Sequence, residues 1–409
     1  MLIAFKKYFR WIITLLLLIV TCELGFPQSK RKSQNKYNQL INSGIVEKGE
    51  FTVLPVKYWK DLLIIPVTID NKEYSFLFDS GAMISLISGG IVDNSKVLGN
   101  YSITDDLGNK KEIDLLYKDI SIGDIKLSKI GCGKFDFTVI EEQTCLKIDG
   151  ILGANAINLL NWKINPTKNE VECSKESFHI DDTNSIVLEY QLYAGLLPLV
   201  KMNLNNEPFW TLIDWGFSGY LQLNDSLFYK TKKSAIFPLK FGIGKKDYTI
   251  NGFVESEYRL SKIDSLFIDG VLYQNLYVNI SKEKPALGSK FFHNYKAIIN
   301  TKDKKLILTP IPTYQNTESL QDYGVDFCIN EQNELVVCYI WNESEYVEKE
   351  NIKLGDRILS IDNFDTQKIN YNEWCAIKDI VTQKQEMNLT LKQGSNTKKI
   401  SLSKEIILK

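Results

Sequence analysis

Between about residue 50 and residue 310, apolar and polar positions alternate with a period of two, as in Tyr74-Ser75-Phe76-Leu77-Phe78 and Leu306-Ile307-Leu308. That period puts successive side chains on opposite faces of a sheet, so these stretches predict strands. Asx pairs such as Asp70-Asn71 and Asn205-Asn206 interrupt the alternation and predict tight hairpins. Short helical stretches are predicted only after Gly153 and Gly288. The N-terminus is patterned differently. Lys6, Lys7 and Arg10 precede an apolar run from Trp11 to Cys22, shorter than the roughly 20 residues that span a bilayer as a helix. This layout predicts an export signal over residues 1–28, followed by a polar, basic and flexible leader over 29–48.

The alternating region repeats. From about Leu62 to about Val171 the sequence matches a later stretch of itself at one constant offset, which carries Asp79-Ser80-Gly81 onto Asp214-Trp215-Gly216. Ile151-Leu152-Gly153 falls on Ala286-Leu287-Gly288, and Trp162-Lys163-Ile164-Asn165 on Ala297-Ile298-Ile299-Asn300. The spacing from Asp79 to Gly153 therefore equals that from Asp214 to Gly288. Midway, Leu107-Gly108-Asn109-Lys110-Lys111 falls on Gly242-Ile243-Gly244-Lys245-Lys246, which predicts a second hairpin turn in each copy.

Composition narrows the chemistry. The 409 residues carry 49 Lys plus Arg against 50 Asp plus Glu, a net charge of −1, so no global field favours nucleic acid. With two histidines, His179 and His293, and no HExxH, CxxC, Gly-x-Ser-x-Gly or phosphate-binding glycine loop, the common metal, triad and nucleotide mechanisms lack their residues. No metal or organic cofactor is expected. Neither histidine has a partner in sequence, and both read as structural. Six cysteines remain beyond Cys22. Cys132, Cys145 and Cys173 align with apolar Phe267, Ile280 and Leu308, which favours buried thiols; a Cys132–Cys145 bridge is the alternative.

Carboxylate chemistry survives. An Asp-x-Gly turn at the end of an apolar strand presents a carboxylate where glycine lets a second backbone approach. If the copies pair about a pseudo-twofold axis, Asp79 and Asp214 meet and share a proton, one activating water while the other donates to a substrate carbonyl. Phe78-Asp79-Ser80-Gly81-Ala82 and Asp149-Gly150-Ile151-Leu152-Gly153-Ala154 resemble the retropepsin-like aspartic proteases, and Phe209 to Gly216 with Ala286-Leu287-Gly288 resembles a second lobe. The resemblance covers roughly residues 50–310. It implies a mostly β fold of two pseudo-twofold-related acid-protease lobes of the double β-barrel type, at 49–182 and 183–312. It further implies Asp79 and Asp214 as the dyad, Ser80, Gly81 and Gly216 as their support, and flap hairpins at Gly108-Asn109 and Ile243-Gly244. One position departs: the family places Thr or Ser where Trp215 stands, and an indole cannot accept a hydrogen bond.

Beyond Pro310 and Pro312 a polar linker is expected over 313–321. Tyr323-Gly324-Val325-Asp326-Phe327, Leu335 to Ile340 and Leu354-Gly355-Asp356-Arg357-Ile358-Leu359-Ser360-Ile361-Asp362 resemble a PDZ domain, an α+β unit over 322–409. That resemblance implies a terminal-carboxylate loop at Tyr323–Phe327, a groove helix within Asn372 to Val381, and a peptide C-terminus as ligand. Trp374 and Cys375 read as core or groove lining.

The combined expectation is an exported aspartic endopeptidase (periplasmic, secreted or outer-membrane-associated) acting on peptide or protein substrates. A monomer is expected, attached to a membrane only if Cys22 is lipidated or the signal retained. One alternative is a catalytically inactive peptide-binding scaffold in which Trp215 has cost the dyad its geometry. A second is an obligate homodimer that uses only Asp79 from each chain.

Overall fold

A computed structural model describes residues 28–105, 108–179, 184–204, 207–232, 238–268, 271–312 and 320–408. Residues 1–27 of the expected signal, with Cys22, lie outside them, as do Leu107, Asn205-Asn206 and residues 313–319 of the expected linker. No helix among the described residues is long and apolar enough to cross a membrane.

The fold is mostly β. Strand Leu62–Ile69 turns back through Asp70 and Asn71, both in the left-handed region (φ 50° and 64°), into Lys72–Phe78. Asx residues adopt that conformation at little cost. The last three residues of Lys72–Phe78 are buried and lie parallel to Gly150–Leu152, with Leu77 opposite Ile151 and Phe78 opposite Leu152. At the equivalent positions of the second copy, Leu212 lies opposite Ala286 and Ile213 opposite Leu287. The repeat is therefore a repeat of register.

The two halves join through six antiparallel strands in the order Phe51–Pro55, Glu170–Ser174, Asn161–Asn165, Tyr295–Asn300, Lys305–Pro310 and Ile186–Tyr193. At its centre Lys163 pairs with Ile298, its own counterpart in the repeat, so a local twofold axis passes through this pair. One apolar core runs through both halves and holds Phe78, Trp162, Trp215 and Phe291. The C-terminal unit has a separate core around Phe327, Trp374 and Leu389.

Several expectations are corrected. The segment from Gln28, expected to be flexible, forms a helix, Gln28–Ile41, whose Tyr37, Leu40 and Ile41 are buried. Tyr37 stacks on Tyr101 at 3.9 Å, and burying these groups supplies what the polar sequence lacks. The C-terminal unit starts before 322, because Leu320–Asp322 pairs with Glu405–Leu408. The second hairpin does not turn at Ile243-Gly244. Leu239–Thr249 (11 residues) and Gly252–Ile268 (17 residues) continue past that point, and the turn lies at residues 250 and 251.

Cysteine pairing also differs. Cys145 is bonded to Cys375, 230 residues away, tying the helix Thr138–Thr144 of the first half to the helix Tyr371–Gln383 of the C-terminal unit. Cys132, Cys173, Cys328 and Cys338 are buried free thiols. The expectation of buried thiols therefore holds for Cys132 and Cys173 and fails at Cys145, whose aligned residue Ile280 is core while Cys145 itself faces the C-terminal unit. Strand Ser85–Ser88 pairs with Cys132, while its counterpart Leu221–Asn224 pairs with Val278.

Candidate active site

Asp79 and Asp214 each end an apolar strand, and the chain turns sharply after both. The backbone N–H groups of Gly81 and Ala82 donate to Asp79 Oδ1 at 2.9 Å each, and that of Gly216 donates to Asp214 Oδ1 at 2.8 Å. The carboxylates are exchanged between the halves. A Cβ built on Gly81 would stand 2.5 Å from Asp214 Oδ2, and one on Gly216 2.6 Å from Asp79 Oδ2. Only glycine admits a carboxylate that close, which explains why each motif needs its third residue. The structure thus brings together Asp79, Asp214, Gly81 and Gly216.

Support behind the pair is one-sided. Ser80, buried, donates from Oγ to the Ile213 carbonyl at 2.7 Å and accepts from the Trp215 N–H at 3.2 Å, so one hydroxyl crosses between the halves twice. Trp215, at the equivalent position, is 2% exposed. Its ring stacks on Phe292 at 3.9 Å and meets Phe78 edge-on at 6.1 Å. Apolar packing occupies the place of a second crossing hydroxyl.

Both aspartates line one cavity of about 1720 Å³. Small-molecule pockets are about 300–1,000 Å³, so this space accommodates an extended chain segment. Its roof includes the two hairpins. The first turns through Asp105, Gly108 and Asn109, with Asn109 N–H donating to Asp105 Oδ1 at 2.7 Å and Gly108 N–H to the Asp105 carbonyl at 3.0 Å. At the second hairpin's turn, Asn251 Nδ2 donates to Asp105 Oδ2 at 2.8 Å. The hairpin tips therefore meet.

Ile243 and Gly244 do something else. They pair with Ile340 and Tyr339 of strand Leu335–Trp341, making one continuous sheet from the second half and the C-terminal unit. A Cβ on Gly244 would collide with the Cys338 carbonyl, so glycine permits this contact. In the C-terminal unit, Gly324 N–H donates to Asp322 Oδ1 at 2.9 Å and is already engaged. Tyr323 hydrogen-bonds the carbonyls of Val381 and Lys384 at the end of helix Tyr371–Gln383 at 3.0 and 2.6 Å. Val325 and Phe327 are buried. Asp326 remains half-exposed and lines the cavity that holds Asp79. The helix starts at an Asn370–Glu373 capping box, and Trp374 is core.

Of the histidines, His179 is exposed. His293 caps the short helix Ser289–Phe292, with Nδ1 3.2 Å from Asp61 Oδ1.

Three features escaped the sequence reading: the Asp105–Asn251 contact, the inter-unit disulfide, and Lys60. Lys60 and Asp61 (φ 45° and 71°) form the two-residue turn between Lys57–Trp59 and Leu62–Ile69. A polar pair between apolar runs marks such a turn, but nothing local says that Lys60 lines the cavity. No protein-family model matches the chain, and no curated protein is significantly similar to it.

Proposed function

We propose that the chain is an aspartic endopeptidase that cleaves extended peptide segments, with Asp79 and Asp214 as a dyad. The observation that carries this reading is the reciprocal seating of each carboxylate against the other motif's glycine, in a cavity of a volume that takes a peptide segment. Two carboxylates held this close cannot both ionise easily, so they share one proton, and their acid–base behaviour belongs to the pair. The ionised member takes a proton from water as that water attacks the scissile carbonyl. The protonated member donates to the carbonyl oxygen. The hairpin tips close over the reacting atoms and exclude other water.

On the same reading the two halves are retropepsin-like lobes within one chain, and the C-terminal unit is a PDZ-like module. Export, proposed from the N-terminal pattern, would give the disulfide the oxidising compartment it requires. The rival, an inactive peptide-binding scaffold, is favoured by one observation: Trp215 supplies no crossing hydroxyl.

The test compares the chain from Ser29 onward with its Asp79→Ala and Asp214→Asn variants on a denatured protein mixture between pH 3 and 8, reading new termini by mass spectrometry. Cleavage that falls at least about 10³-fold in both variants is expected, the scale of losing an acid–base group. Loss in Asp79→Ala alone would point to the single-aspartate homodimer, and silence from the parent chain at every pH would favour the scaffold.

A further inference from the structure

Lys60 lines the cleft on the side where the first half faces the C-terminal unit. Trp59 beside it meets Tyr248 of the long hairpin edge-on at 6.3 Å, and Lys60 Nζ lies 4.6 Å from the Trp59 ring. The cavity that Lys60 lines is shared with Asp79, Asp214, Lys246, Asp322 and Asp326.

Four charged groups act on it: Lys378 and Asp379 from helix Tyr371–Gln383, Lys246 from the long hairpin, and Asp326 from strand Val325–Ile329. Lys378 acts most strongly, and Asp326 and Asp379 oppose it. Lys246 is already neutralised locally, 3.4 Å from both Asp322 Oδ2 and Asp326 Oδ2. Lys60 differs: among the described residues no carboxylate comes within ion-pair distance of its ammonium. The side chain stays open to the solvent of the cleft, where a ligand can reach it. Although the side chain can be reached from the cleft, the walls crowding around it thin its hydration, and this, then Lys378, pushes its titration down to about 8. A cation made less favourable in this way gains most from an incoming anion.

We propose that Lys60 forms an anion subsite of the cleft and selects peptides presenting a carboxylate there, either an acidic side chain or the chain's own C-terminal end. The inference rests on the proteolytic reading for what it selects, but the binding it requires can be measured without turnover.

The probe is a fluorescent, alanine-rich decapeptide set with Glu or Gln walked through every position, each made with a free or an amidated C-terminus. Binding is read by anisotropy on the non-cleaving Asp79→Asn chain and cleavage on the parent chain. One Glu position, or the free end, should bind about fivefold more tightly than its Gln or amide counterpart, the scale of a single partly solvated charge pair. Lys60→Gln should erase that preference without weakening the neutral peptides, and Lys60→Arg should keep it. The ammonium is charged below its titration point and neutral above it, so the preference should fade as pH rises beyond about 8. Which member of the set shows it separates side chain from chain end. A preference that survives Lys60→Gln, or none at any position, overturns the subsite. Acid preference in binding with no cleavage would leave the subsite standing and end the proteolytic reading.

Discussion

The two halves agree at their ends and differ in their middles. Both have the Asp-x-Gly turn, the parallel pairing behind it and the same interval from the aspartate to the later glycine. Inside that interval the first half has short hairpin strands, Gly99–Thr104 (6 residues) and Lys110–Ile122 (13 residues), and then the helix Thr138–Thr144. The second half has the longer pair of 11 and 17 residues and passes from Val271–Ser281 to Ala286–Gly288 with no helix between. The equal interval thus conceals an exchange of helix for hairpin. Each product is used to hold the C-terminal unit, the helix through Cys145–Cys375 and the hairpin through pairing at Gly242–Gly244. The ends seat the paired aspartates, whereas the middles grip a third unit, and a single symmetric repeat could not do both.

The sharpest local difference is Ser80 against Trp215, and it carries the largest expected effect on stability. Trp215→Thr removes a buried ring wedged between Phe292 and Phe78, so it should cost about 3–5 kcal/mol, as large-to-small changes of this size do. Urea unfolding of the full chain checks this. The same variant tests function: the new hydroxyl stands at the position equivalent to Ser80, where it can reach back to the first half as Ser80 reaches across to Ile213. Faster cleavage per folded molecule would show that the missing hydrogen bond limits the dyad. An unchanged rate would show that indole packing holds Asp214 as well as a hydroxyl does.

Next in size is the bond between halves and C-terminal unit. Cys375→Ser opens a loop of 230 residues, and loss of a native crosslink removes about 2–4 kcal/mol. Because the strand contact at Gly242–Gly244 remains, hydrogen exchange should rise first in helices Thr138–Thr144 and Tyr371–Gln383 and not in Leu335–Trp341. Equal loosening of all three would mean that the strand contact depends on the disulfide.

What was legible in the sequence follows the same division. Features set by local rules at a fixed offset could be read: the strand period, the Asp70-Asn71 turn, the Asp-x-Gly motifs and the first hairpin tip. Transferring Gly108 to Ile243 by that offset failed because the second hairpin is extended, and Gly242 and Gly244, which look like turn residues, instead admit a neighbouring strand. No spacing announces Cys145–Cys375, whose partners meet only after three units dock. The helix Gln28–Ile41 was hidden for a related reason. Its sequence is largely polar, and Tyr37, Leu40 and Ile41 at its end find a core.

The smallest expected effect concerns the place where the differing middles touch. Asp105 in the first tip accepts from Asn251 in the second at 2.8 Å. Partial burial opposes the charge of Asp105, but hydrogen bonds from Asn251, Thr249 and Asn109 outweigh it and hold the carboxyl below the ordinary range. A carboxylate with a depressed folded value contributes fully above the ordinary range, and its contribution is lost as pH falls through the depressed value. The tips should therefore stay joined through mildly acidic conditions and part only below the usual titration range of aspartate. Asn251→Ala removes one such bond, worth about 1 kcal/mol, and should raise hydrogen exchange about fivefold at residues 103–105 and 249–252 at neutral pH. Closure governed by this contact also predicts that the variant's exchange differs least from the parent's at the lowest pH, where the parent has lost the bond too. A difference that persists there would mean that Asn251 holds the tips through some group other than the Asp105 carboxylate.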